Sequence, residues 1–200
     1  MTKEKKRAGE IALPFDPASV VDGTITFIGH LSTPWFREHC PKNLTDARSL
    51  GGRFEIHVDA TYRQGLTGLS AGVPIVVLYW MSGARRDLVV QHPSHREVPS
   101  GTFALRSPAR PNPIALAVVH LLEIDPEAGL LVIDASDAFD GTPVIDIKPW
   151  LHRIDLPPGV MPKEEDGLPQ SGSRAEADTP PMCGCSGDRC HDHGAPYSDR

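Results

Sequence analysis

Arg106 and Arg110 stand four residues apart in a loop that also holds Pro108, Pro111 and Pro113, with Asn112 between the last two prolines. Proline fixes φ, so such a loop loses little conformational freedom when it closes on a ligand. The guanidinium is a planar fork that suits carboxylate or phosphate, and Asn112 can cap backbone or hydrogen-bond the edge of a heterocycle. A second loop, Ser136 to Pro143, supplies Asp137, Asp140, Gly141 and Thr142, acceptors suited to ribose hydroxyls or an amino group. The two loops together fit a small polar zwitterion or a nucleoside. An internal Arg–Asp salt bridge locking the loops fits equally, and residue type and spacing do not separate these readings.

A third set of reactive residues lies near the end of the chain. Cys183, Cys185, Cys190, His191 and His193 place three thiols and two imidazoles within eleven residues. Thiolate with imidazole suits zinc or another late transition metal. The spacing matches no standard zinc module, so the competing reading is a tail with incidental thiols. His92, His95 and Arg96 could hold a phosphate or a metal, but no third ligand is near and they read as a solvated loop. Cys40-Pro41-Lys42-Asn43 reads as a compact polar connector.

The elements that must position these groups are mostly strands. Gly23 to His30 is β-branched and aromatic between glycines, a first strand. Arg53 to Val58 alternates polar and apolar, with His57 on the wet face. Val73 to Trp80 is a continuous apolar run, expected as a central strand buried on both faces. Asp87 to Gln91 is another short strand. Pro113 to Ile124 reads as a long one, with Ile114, Leu116, Val118, His120, Leu122 and Ile124 on one face and Ala115, Ala117, Val119 and Leu121 on the other. His120 is expected there as a core histidine. Asp125 to Gly129 is a turn that makes Leu130 to Ala135 the hairpin partner, and Val144 to Lys148 is the last strand. Seven or eight short strands without a long amphipathic helix predict an all-β barrel or sandwich.

The chain has 200 residues and a formal net charge of -6. From Asp155 onward nine acidic residues face four basic ones, so the remainder is nearly neutral. Local basic clusters on a neutral domain can still engage phosphates. Residues 1–20 read as a flexible arm, 21–156 as the folded domain, and 157–200, rich in Pro, Gly, Ser and acids, as a disordered acidic tail. No apolar run is long enough to cross a bilayer, and the start does not read as a secretory signal. Four cysteines without a framework point to a reducing cytoplasm. No strand–glycine–helix dinucleotide fingerprint and no phosphate-binding P-loop pattern is present.

The segments "FALRSPARPNPIALAVVHL" and "DAFDGTPVIDIKPW", and more weakly "CPKN", resemble the TsaA-like family, whose best-known members methylate N6 of threonylcarbamoyladenosine beside the anticodon of tRNA. The resemblance covers about Gly23 to Leu151. It implies a small single-sheeted β-barrel, a homodimer, and S-adenosylmethionine as methyl donor in a cleft at the dimer interface. It also implies cofactor contacts from Pro41, Lys42 and Asn43, from Trp80, Met81 and Ser82 at a strand end, from Arg106 and Leu116, and from Asp137, Ala138, Phe139 and Asp140. The pattern departs from the family at Ala115, where glycine is usual, and at Met81 and Ser82, where the strand end usually has polar residues. The tRNA-reading C-terminal region has no counterpart.

The reaction so implied is methyl transfer to an adenine N6 that already carries a carbamoyl group. Asp137 and Asp140 are the candidate bases, Arg106 and Arg110 hold carboxylate or phosphate, Asn112 contacts the substrate, and Trp35, Phe36 and Trp80 could stack the adenine. Two alternatives stand beside it. One is a non-catalytic S-adenosylmethionine-binding module. The other is a metal-binding or metal-sensing protein in which the barrel scaffolds the Cys/His tail.

Overall fold

The computed structural model describes residues 6–160. Along the chain run β1 (Ile11–Ala12), β2 (Gly29–Ser32), helix α1 (Leu44–Leu50), β3 (Phe54–Val58), β4 (Pro74–Trp80), β5 (Leu88–Gln91), β6 (Ser100–Gly101), β7 (Ile114–Asp125), β8 (Leu130–Ile133), β9 (Pro143–Pro149) and a single turn, α2 (His152–Asp155). Six strands close into an antiparallel barrel in the order β2-β3-β8-β7-β4-β9, with β9 returning to β2. Closure pairs every strand on both sides and removes the exposed edges an open sheet would leave. Of the all-β barrel and sandwich that the strand pattern leaves open, the fold is the barrel, as the family resemblance implies.

Alternation decides the interior. Phe54, Ile56 and Val58 of β3 point inward while Glu55 and His57 face out. Ile75, Val77 and Tyr79 of β4 point inward against β7, where the register sets Ile75 opposite Val119, Val77 opposite Ala117 and Tyr79 opposite Ala115. Bulky residues on one strand thus meet alanines on the next, which fills a narrow barrel without overpacking.

This pairing corrects the reading of β7. The inward set is Ala117, Val119 and Leu121, and the larger set with Ile114, Leu116 and Leu122 faces outward. His120 is exposed, not a core histidine. The alanines could go inside because β4 supplies the volume. The register also shifts between Leu121 and Glu123, which breaks simple alternation there.

Two further expectations differ from the structure. The first barrel strand is Gly29–Ser32 rather than Gly23 to His30, because residues 23–27 have no strand beside them and Ile25 and Phe27 stay exposed. Gly29 is required where it stands, since a Cβ would lie 1.9 Å from the His57 carbonyl oxygen. The N-terminal segment, expected as an arm, contributes β1, which adds to β5 and β6 in a small second sheet.

Candidate functional site

Loop 136–142 is laced to residues 33–40 along its length. The Trp35 indole N–H donates to the Ser136 carbonyl at 2.7 Å, and the Cys40 thiol to the Asp137 carbonyl at 3.1 Å. The Thr33 hydroxyl donates to the Ala138 carbonyl at 2.9 Å, and the Thr142 hydroxyl to that of Phe139 at 2.7 Å. Four successive carbonyls are thus taken, which fixes the loop although it has no regular secondary structure. Asp140 adds a reciprocal clamp. Its main-chain N–H donates to the Trp35 carbonyl at 2.9 Å, and its Oδ1 accepts the Thr33 N–H at 3.0 Å.

The arginine loop is built from β4, β5 and itself. The Met81 N–H donates to the Pro113 carbonyl at 2.9 Å. Arg86 donates to the carbonyl of Pro111 and, at 3.3 Å, to Asn112 Oδ1, while its guanidinium lies 5.5 Å from the centre of the Trp80 ring. Beneath the loop, buried Gln91 donates to Thr102 Oγ1 at 2.9 Å and to the Ala109 carbonyl, and Thr102 in turn donates to the Leu88 carbonyl. Arg110 turns back onto the carbonyls of Leu105 and Ser107 at 3.3 and 3.4 Å. It shapes the loop from within.

Arg106 is exposed and donates to the Leu116 carbonyl at 3.2 Å. Neither Arg106 nor Arg110 forms an ion pair among the described residues. The salt-bridge reading of the two loops is therefore not what the fold contains. The loops carry opposite charge and do not neutralise each other.

Tyr79 lies between them, at the end of β4. It is 5% exposed, and its hydroxyl donates to Asp137 Oδ1 at 2.8 Å. Burial pushes its phenol well above the usual range. The Asp137 charge and this hydrogen bond add to the push, and Arg106 pulls weakly the other way. The phenol therefore stays a donor at any working pH. Burial, reinforced by Asp137, likewise raises the Cys40 thiol to about 11, so Cys40 is a poor nucleophile and serves as a tether.

The remaining expected residues take these places. Pro41 and Lys42 follow the Cys40 tether, with Lys42 exposed. Asn43 caps α1, accepting the Asp46 N–H at 2.8 Å. Trp80 ends β4, and Met81 and Ser82 form the turn beyond it. Ala138 is buried and Phe139 is exposed. Trp35 packs on Phe54 with its N–H already committed, so it belongs to the scaffold. The Leu116 side chain faces outward, where Leu78, Leu116, Val118, Trp150, Leu151 and Ile154 line a groove of about 500 Å³. Among the described residues no cluster of three His, Cys, Asp or Glu could hold a metal, and no helix is long and apolar enough to cross a membrane. Cys183, Cys185, Cys190, His191 and His193 lie outside the described residues.

Sequence reasoning missed Tyr79, Thr33 and Arg86. Only Tyr79 carried a signal: a tyrosine within an otherwise apolar strand needs a hydroxyl partner.

Residues 30–156 match the family model of the tRNA-methyltransferase O N-terminal domain. A probable S-adenosyl-L-methionine-binding protein of Archaeoglobus fulgidus is 44% identical over 109 residues, covering 52% of this chain and 29% of that protein. A tRNA (adenine(37)-N6)-methyltransferase of Eikenella corrodens is 46% identical over 63 residues, 31% of this chain and 36% of that one. The crystal structure of TrmO from Pseudomonas aeruginosa is similar with a TM-score of 0.54 at 25% identity, covering 70% of this chain and 61% of that chain. This chain thus spans less than two thirds of the length of each of these proteins.

Proposed function

Because the chain belongs to the tRNA-methyltransferase O N-terminal domain family, we propose that it is an S-adenosylmethionine-dependent methyltransferase that acts on N6 of threonylcarbamoyladenosine beside the anticodon of tRNA. The observation that carries this reading is the separation of Arg106 from Asp137. A guanidinium without an ionic partner among the described residues and a carboxylate with one oxygen uncommitted among them stand on two walls that both act on Tyr79. The methionyl end of the cofactor is a zwitterion, and its two charges match this pair.

Arg106 would hold the cofactor carboxylate and Asp137 its ammonium group. Turn 41–43 and the Trp80–Ser82 strand end would supply further contacts. When bound, the cofactor supplies an electrophilic methyl group. The protein's part is to hold the acceptor nitrogen in line with it, since a carbamoylated nitrogen is a weak nucleophile and alignment supplies much of the rate. Asp137 and Asp140 each have one oxygen engaged, by the Tyr79 hydroxyl and the Thr33 N–H respectively; Asp137 is assigned to the ammonium group because it shares Tyr79 with the Arg106 side.

A homodimer in the cytoplasm belongs to the same proposal. The outward apolar strip of Leu78, Leu116, Val118, Leu151 and Ile154 would be covered by a second copy, bringing further groups to the cleft beside Leu116. Zinc, or another late transition metal, held by the Cys183–His193 cluster is proposed from ligand type alone.

The test compares tRNA nucleosides from cells with and without the gene by mass spectrometry. Loss of N6-methylated threonylcarbamoyladenosine in the deletion strain is expected, and unchanged nucleosides would refute the substrate. Calorimetry with S-adenosylmethionine on wild type and Arg106→Ala tests the cofactor.

A further inference from the structure

We infer that Tyr79 is a positioning residue that reserves Oδ1 of Asp137 for the barrel and presents Oδ2 to the cofactor's α-ammonium group. The inference rests on the cofactor reading above and assigns to Tyr79 a role in recognising one functional group of that cofactor.

The two oxygens of the Asp137 carboxylate differ in their surroundings. Oδ1 accepts the Tyr79 hydroxyl at 2.8 Å, and Oδ2 has no hydrogen-bond partner among the described residues. No side-chain oxygen of the described residues is both fully buried and unpartnered, so Oδ2 reaches solvent and can accept a ligand's donor. An ionised carboxylate offers about four lone-pair sites, and a single fixed donor on one oxygen sets where the other points.

Rotation of the carboxylate is restrained from the main chain too. The Asp137 carbonyl takes the Cys40 thiol, and its neighbours take Trp35 and Thr33. The backbone is therefore anchored, and among the described residues Tyr79 alone hydrogen-bonds the side chain and turns its remaining freedom. Tyr79 is itself held within the β4 ladder between β7 and β9, so the barrel wall transmits its rigidity to a loop carboxylate. Burial keeps the phenol protonated, so it is a permanent donor and does not become a second anion beside Asp137. A phenylalanine here would fill nearly the same volume and leave the carboxylate free to rotate.

Recognition of the ammonium group is separable from recognition of the rest of the cofactor. A ligand without the α-amino group keeps the adenosine and carboxylate contacts and loses only the bond to Oδ2. The preference for the amino-bearing ligand over its des-amino analogue therefore reads the Tyr79–Asp137 pair directly. A general loss of stability does not move that ratio.

The experiment is titration calorimetry on the full chain with S-adenosylhomocysteine and its des-amino analogue. Wild type is expected to prefer the amino-bearing ligand by about tenfold or more, the scale of one charge-assisted hydrogen bond. Tyr79→Phe is expected to reduce that preference to below about threefold while binding of the des-amino analogue stays within about twofold of wild type. Asp137→Asn is expected to reduce the preference in the same way, and it serves as the independent variant should Tyr79→Phe not fold. A preference retained in Tyr79→Phe, or in Asp137→Asn, overturns the inference. So does a wild type that binds both ligands equally. A wild type that binds neither ligand overturns the cofactor reading itself, which separates the two failures.

Discussion

Asp140 Oδ1 accepts the main-chain N–H of Thr33 at 3.0 Å, and the Thr33 hydroxyl donates to the Ala138 carbonyl at 2.9 Å. This exchange ties the end of β2 to the loop before β9, across more than one hundred residues of sequence. Removing the acceptor leaves a partly buried N–H unpaired. Asp140→Ala is expected to lower stability by about 1–2 kcal/mol, and Asp140→Asn, which retains an acceptor oxygen, to recover most of it. Urea denaturation of the two variants checks the order.

The arginine loop depends on Arg86, a residue with no expected role. Its guanidinium covers Trp80 and reaches both Pro111 and Asn112. Arg86→Ala is expected to cost about 1–2 kcal/mol from the lost cation–π contact and hydrogen bonds. Faster amide exchange should be confined to residues 105–113. Arg86→Lys should rescue poorly, because an ammonium group cannot serve ring face, carbonyl and carboxamide at once.

Gly29 tests the barrel closure. A methyl group there meets the His57 carbonyl oxygen at 1.9 Å, with no flexible side chain to yield. Gly29→Ala is expected to destabilise by about 3 kcal/mol through forced separation of β2 and β3. Thermal unfolding measures the loss, and a shift under about 0.5 kcal/mol would show that the strands do not meet so closely.

Stability should fall at alkaline pH. The unfolded chain releases the Tyr79 proton near its ordinary value of 10, whereas the folded chain retains it. Cys40 behaves alike, with an unfolded value of 9.0 and a folded one of about 11. The folded state therefore binds more protons above about pH 9, and the free energy of unfolding declines as pH rises through that window. Tyr79→Phe should flatten the decline. Cys40 should alkylate slowly at pH 8 and faster toward pH 11.

The terminal Cys/His cluster is tested by metal content. The full chain is expected to carry about one zinc per chain, four of its five candidate ligands sufficing for a tetrahedral site. A chain truncated after Pro180 should carry none. Equal zinc in both would show that the cluster holds no metal.

Much of this fold is legible in the order of the residues. Alternation in Phe54–Val58, the apolar run of Pro74–Trp80 and the turn at Asp125–Gly129 specify strands because side-chain direction and turn chemistry are local properties. The same locality makes the two charged loops visible as a candidate site, since proline, arginine and aspartate announce their chemistry by type. Alternation could not decide which face of β7 is inside. That answer comes from β4, whose bulky Val77 and Tyr79 sit opposite Ala117 and Ala115 and fill the space themselves. Nor could the sequence tell whether Arg106 and Asp137 pair in an internal salt bridge. They do not: Asp137 is met instead by a hydrogen bond from Tyr79, 58 positions away in the chain, through closure of the barrel that brings β4 to the acidic loop. Residue chemistry is written locally, whereas a carboxylate's partner is set by whichever distant strand the sheet places beside it.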